Sequence, residues 1–237
     1  MSRIALRQIA AGTDAGCLLT VEFPGDSAGP GLAATLAETA PGREVWRLDP
    51  VTTLDLGPDL CDYETLAARC VAEFDRLRPD SETALTVVGY CSAARFAYHV
   101  TGALTALGYA PRALVLVAGT VPDERTVWTE YDDLRRKLGA AGPSEPPFPL
   151  LDDPDATIGW LRAELTGHAR AFVDDQDFGT AEAGAAVDEI VGRYQAWLWF
   201  LLQAVASDTP PVGCPTTDVA DPGDLDLDLA PHAARHV

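Results

Sequence analysis

The 237-residue chain sets 36 Asp and Glu against 17 Lys and Arg, a formal charge of −19 at pH 7, and is 47% hydrophobic. That charge argues against nucleic acid and anionic membranes as partners, while the apolar content is enough for one sizeable core. Five widely spaced cysteines without a C-x-x-C pair, four histidines, no charged-then-apolar leader and no apolar run of about 18 residues lead us to expect free thiols, a cytoplasmic protein, no dedicated zinc site and no membrane span.

The first apolar run, "GCLLTVEFPG" (16–25), reads as a buried strand ending in a tight turn. "GPGLAATLAETA" (29–40) reads as a helix stopped by Pro41 and Gly42, and "REVWRLDP" (43–50) alternates as a second strand. "DYETLAARCVAEFDRLRP" (62–79) spaces Leu66, Cys70, Phe74 and Leu77 as a helix would. A β-branched strand follows at 82–90, a helix at 92–108 closed by Gly108, and a buried strand at 112–120. Strands alternating with helices in this way predict an α/β fold with a mostly parallel sheet and helices on both faces. Residues 121–208 hold no convincing strand. A Pro-rich loop (143–155) leads into helices at 157–175 and 185–207, the second apolar almost all round. Its Trp197, Trp199, Phe200, Leu201 and Leu202 are either packing on the sheet or an aromatic wall over an acyl channel. A short strand is expected near 211–216, and "DLDLDL" (224–229) is an edge strand or a solvated segment.

"TVVGYCSAARFAYHV" (86–100) crosses from strand to helix. A nucleophile elbow needs a small residue two positions before the nucleophile and another two after it. With Cys91 as nucleophile the flanks are Gly89 and Ala93; with Ser92 one flank would be Tyr90, which does not fit. The spacing selects Cys91. The backbone N–H of Ser92 and one from the loop 23–29, "FPGDSAG", where Asp26 stands, are the expected oxyanion-hole donors. The alternative is a cysteine that only packs in the turn.

"VEFPGDSAGPGLAATLA", "DYETLAARCVAEFDRLRPD…LTVVGYCSAARFAYHVTGALTALG" and "APRALVLVAGTVPD" together resemble the stand-alone (type II) thioesterases of nonribosomal peptide and polyketide biosynthesis. The resemblance covers about residues 16–125 well and the rest loosely. It implies an α/β-hydrolase fold as one domain over 1–237, with 121–208 as a helical lid. It implies a substrate carried on the phosphopantetheine arm of an acyl or peptidyl carrier protein, with no other cofactor. Three departures stand out: Cys91 replaces the usual serine and Ala93 the second glycine; Ala118 occupies a common place of the triad acid; Asp26 sits in the oxyanion loop.

By the same resemblance His232, or failing it His236, is the base, and Asp218, or Asp221, the acid. The chain ends five residues beyond His232, where the family continues into a further helix. A Cys–His pair works with a weak or absent third member. Acylating Cys91 exchanges one thioester for another and keeps the acyl group activated, so hydrolysis, transfer and cyclisation all remain open. Arg135, Arg136 and Lys137 form the one basic triplet, either a solvated helix face or a landing point for an acidic carrier. Two other readings stand beside the enzyme: a thioesterase-fold protein that binds an acyl chain or an assembly-line partner without catalysis, and another esterase or lactone hydrolase.

Overall fold

The structure, a computed structural model, describes residues 4–12, 16–23, 31–55, 60–79, 83–142, 152–175 and 180–220. Six strands form one sheet among them: β1 (Leu6–Ala10), β2 (Cys17–Val21), β3 (Glu44–Leu48), β4 (Leu85–Tyr90), β5 (Ala113–Val117) and β6 (Thr216–Val219), in the spatial order β1-β3-β2-β4-β5-β6. β1 runs antiparallel to β3; the other neighbours are parallel. β2, β4 and β5 are buried on both faces, which is why they read as continuous apolar runs.

The helices are α1 (Leu32–Thr39), α2 (Pro50–Asp55), α3 (Tyr63–Leu77), α4 (Ala94–Ala106), α5 (Glu124–Lys137), α6 (Pro154–Asp174) and α7 (Thr180–Ala206). Asp62 caps α3 by accepting from the Thr65 N–H at 2.7 Å, and Asp153 caps α6 through the Ala156 N–H at 2.9 Å with Pro154 opening the helix. Asp123 and Thr126 close a capping box on α5. Just past α4 and its cap Leu107, Gly108 has a φ of +92° and reverses the chain as only glycine does readily. Leu66, Cys70 and Phe74 of α3 are buried, the leucine and phenylalanine each contributing on the order of 1.5–3 kcal/mol, whereas Leu77, expected on the same stripe, is 42% exposed where the helix ends.

Two apolar clusters mark the two faces. Leu18, Val45, Val88 and Val115 pack against Leu32, Ala33 and Leu36 of α1. Leu19, Leu48, Val87 and Leu114 join the larger cluster with α3, α4 and α5–α7. From β2 the chain steps to β3 on one side through α1, then crosses to β4 on the other side through α3. That reversal makes the C-terminal ends of β2 and β4 the topological switch point, where open α/β sheets form their crevice.

Several expectations are corrected. β1 and the six-residue α2 were not expected, and the last strand lies at Thr216–Val219 rather than 211–216. Between β5 and β6 the described chain is helical, as read, but α6 begins at Pro154, inside the expected Pro-rich loop. The segment 224–229 lies outside the described residues. None of the described helices is long and apolar enough to cross a membrane.

Candidate active site

β4 ends at Tyr90, whose ladder partner is Val117 of β5. The next residue, Cys91, has φ of 53° and opens a 3-10 turn (Cys91–Ala93) that runs into α4. A side-chain-bearing residue in that left-handed region is strained, a state that persists only where the surroundings impose it. The surroundings are the small neighbours. A Cβ at Gly89 would lie 2.7 Å from the Ala97 Cβ and 3.0 Å from the Ala94 Cα, so α4 packs directly on the strand. Ala93 is fully buried. Cys91 itself is half-buried at the turn, with its sulfur 3.8 Å from the Ser92 hydroxyl and 4.0 Å from the Thr120 hydroxyl.

Thr120, which the sequence did not single out, also donates its N–H to the Cys91 carbonyl at 3.4 Å. It arrives there because the chain turns at Ala118, φ 48°, just past β5. Ala118 is therefore at the edge of the site, in a place where an acid would be well set, and carries no functional group. The N-terminal, positive end of α4 lies just past Cys91, a place that favours a nearby oxyanion.

The other four cysteines are held as neutral thiols. Burial pushes Cys17 and Cys70 up to about 12, and also raises Cys61 and Cys214. Of the described histidines, His99 packs edge-on against Tyr63 in the helical layer, where burial, with the nearby Arg95 charge adding to it, lowers its affinity for a proton. His168 lies half-buried on α6. Asp26, His232, His236 and Asp221 lie outside the described residues. Asp218 is exposed in β6 opposite Leu116, two register positions short of Ala118, and its charge acts on the Tyr98 hydroxyl of α4.

At the other side of the switch point, Glu22 is buried just past β2. Its carboxylate accepts the Leu32 and Ala33 N–H groups at 2.6 and 3.0 Å, binding the end of β2 to the start of α1 in place of a local cap. Burial raises its proton affinity despite those bonds. The following residue, Phe23, is at the level of Cys91 one strand away, since both lie two residues past the Val21–Gly89 pair. Beyond Phe23 opens a cavity of about 550 Å³ between α2, α5 and α7. Trp197 closes it, packing edge-on to Phe23 with ring centres 4.7 Å apart and donating its indole N–H to Glu130 at 3.1 Å. The aromatic stretch of α7 thus divides. Trp197 lines the cavity, while Trp199, Phe200, Leu201 and Leu202 are core, with the Trp199 N–H held by the Cys61 carbonyl at 2.8 Å.

The basic triplet is also divided. Arg135 is buried, paired with Asp132 at 2.7 Å, and donates to the Ala141 and Gly142 carbonyls. That corrects its reading as part of a landing point. Arg136 is exposed but paired with Asp132 and Asp133, and Lys137 lines the cavity.

No protein-family model and no curated protein matches the sequence. Solved structures do match. One is a mutant of YbtT, described as the type II thioesterase of the yersiniabactin NRPS/PKS biosynthetic pathway, with a TM-score of 0.50 and 14% identity over 90% of this chain and 76% of that one. The chain has an α/β-hydrolase fold. The Vlm2 thioesterase domain is similar at TM-score 0.50 and 13% identity, covering 90% and 75%. AB3403, a four-domain nonribosomal peptide synthetase, is similar at TM-score 0.51 and 18% identity over 90% of this chain and 16% of that one. A nucleophile elbow is a sharp strand-to-helix turn, the kind of turn that Cys91 opens after β4.

Proposed function

We propose that the protein is a thioesterase-like enzyme that takes an acyl or peptidyl group from a carrier protein's phosphopantetheine thiol onto Cys91, then releases it to water or passes it to an acceptor. The observation that carries this reading is Cys91 at φ 53° on a strand-to-helix turn at the switch point, between Gly89 and Ala93. The matches to thioesterases of assembly-line pathways support the substrate class.

The chemistry balances without a cofactor. His232 takes the Cys91 proton, and the sulfur attacks the thioester carbonyl. The tetrahedral oxyanion is met by the Ser92 N–H and a donor from the loop bearing Asp26. The carbon–sulfur bond to pantetheine breaks, and the imidazolium returns the proton to that thiolate. One thioester replaces another, so the step is near energy-neutral. Water or an acceptor nucleophile, deprotonated by the same imidazole, completes the cycle. Asp218 would have to act from opposite Leu116, two register positions short of Ala118, and Asp221 directly follows Ala220. A thiol nucleophile tolerates a weak third member, so neither acid carries the reading. The helices at 121–208 act as the lid that decides how much water enters.

Ala118 in place of an acid favours a second reading, a fold member that binds acyl chains without turning them over. Release of thiol from acyl N-acetylcysteamine thioesters separates the two. Cys91→Ala should abolish release, and His232→Ala should slow it by about 10²-fold or more. Release that survives Cys91→Ala would refute the proposal, and no release by the parent protein would favour the binder.

A further inference from the structure

The cavity beyond Phe23 is not lined by apolar side chains alone. Four carboxylates line it: Asp49 and Asp55 at the two ends of α2, Glu130 on α5 and Glu189 on α7. Lys137 and Arg193 are the cations among its lining residues, so carboxylates outnumber them two to one. Burial raises the proton affinity of Asp49 and Asp55, and the Glu189 charge adds to it at Asp55 against the opposing pull of Arg193. Asp49 is buried and its oxygens already accept the Thr52 N–H and hydroxyl, at 2.9 and 2.7 Å. Glu130 accepts the Trp197 indole N–H at 3.1 Å. A cation entering this space would meet a lining in which carboxylates are in excess, beside the Trp197 and Tyr194 rings that also line it. The volume is that of a small-molecule site.

The cavity also lies within reach of the sulfur. β3, whose end supplies Asp49, is two strands from β4, roughly 10 Å at ~4.8 Å per spacing. An acyl group held on Cys91 and passing over Phe23 would put a group six or seven atoms from its carbonyl inside the cavity.

We infer that this cavity is a subsite for a cationic amino group, so that the preferred acyl donors carry an amine at the far end of the chain rather than a plain aliphatic tail. The link to acyl transfer rests on the reading of Cys91 above; the binding claim does not.

Two experiments keep these apart. In the first, Cys91→Ala protein is titrated with 6-aminohexanamide and its isostere heptanamide, with tryptophan fluorescence reporting on Trp197. The amine should bind about five-fold or more tightly, and Glu189→Gln combined with Asp55→Asn should remove that preference. Both of these side chains are exposed, so the double variant is expected to fold. Equal binding of the two amides, tighter heptanamide binding, or no binding of either overturns the inference. In the second, the parent protein is mixed with the 6-aminohexanoyl and heptanoyl N-acetylcysteamine thioesters, and acylation of Cys91 is followed by mass. Faster acylation by the amino compound supports the inference. Equal rates overturn the link between cavity and donor and leave the thioesterase reading standing. Amine binding in the first experiment with no acylation from either thioester in the second overturns the thioesterase reading and leaves the cation site.

Discussion

Replacing Gly89 by alanine tests the elbow where its packing is tightest. The added Cβ would sit 2.7 Å from the Ala97 Cβ, about 0.7 Å inside ordinary contact at 3.4 Å, and 3.0 Å from the Ala94 Cα. Neither neighbour is a flexible side-chain end, so the first turns of α4 must move off β4. Overpacking of this kind costs about 1–3 kcal/mol. At roughly 2–4 °C per kcal/mol for a domain of this size, Tm should fall by about 2–12 °C. Because α4 carries the turn that holds Cys91, the rate of Cys91 alkylation by iodoacetamide should change with it. Gly102 is the matched control, lying in the middle of the same helix with nothing within 4 Å of an added Cβ. Gly102→Ala should therefore raise stability by about 0.5–1 kcal/mol through helix propensity and leave alkylation alone. Calorimetry on the three proteins, with peptide mapping of the alkylated site, reads both effects. A Gly89→Ala protein as stable as the parent, with Cys91 equally reactive, would refute the close strand–helix contact on which the elbow depends.

Ala118→Gly should be stabilising, since it relieves about 1–2 kcal/mol of left-handed strain at φ 48° against about 0.5–1 kcal/mol of added chain freedom; a lower Tm would contradict the strain. Arg135→Ala strips the buried partner from Asp132 and should cost about 3–5 kcal/mol, whereas Arg136→Ala, with its side chain 58% exposed, should cost less than about 1 kcal/mol. Equal losses in denaturant titration would overturn that contrast. The pH profile should be inverted relative to ordinary acid denaturation. Burial pushes Glu22, Asp49 and Asp55 up, so each holds its proton more tightly folded than unfolded. Their ionised forms weaken the fold at neutral pH, and that loss is recovered as pH falls through the raised values toward the unfolded ones. Glu73 and Asp123, held down by bonds from Arg76 and Thr126, act in the opposite sense, and their contribution is lost only as pH falls below about 4. His99, whose proton affinity burial lowers, subtracts from this recovery as pH falls below about 6.5. In a His99→Gln protein Tm should therefore rise from pH 7.5 to about 5 and fall below 4; a steady fall from pH 7.5 downward in that variant would contradict the carboxylate assignments.

The parts of the fold that could be read in advance are those whose signal is local. β2, β4 and β5 are unbroken apolar runs, and α3 has its stripe and its Asp62 cap within a single window. β1 escaped notice because Arg7 and Gln8 interrupt it, and as an edge strand it buries little. α2 carried a legible start, Asp49 before Pro50 with Thr52 three residues on, but the strand read over 43–50 takes in Pro50, and "VTTLD" is too short to show a helical period. β6 is polar and exposed, so nothing in "TTDV" announces that it pairs with β5. The sharp strand-to-helix turn at Cys91 and the tight packing at Gly89 were legible because the steric rule behind them spans only five residues. Thr120 was not, since its contact with Cys91 depends on where β5 lies beside β4. The Glu22 bonds to α1, the burial of Arg135 and the carboxylate-lined cavity were likewise out of reach. Each joins residues whose meeting is decided by helix packing, and a charged side chain looks the same in sequence whether it is buried or solvated.

The most direct test of the account is the intact mass of the protein after brief mixing with an acyl-loaded carrier protein, followed by peptide mapping. The account predicts a gain equal to the acyl group, located on the peptide bearing Cys91 and lost in Cys91→Ala. Protein of unchanged mass, or an adduct that Cys91→Ala leaves in place, would contradict it.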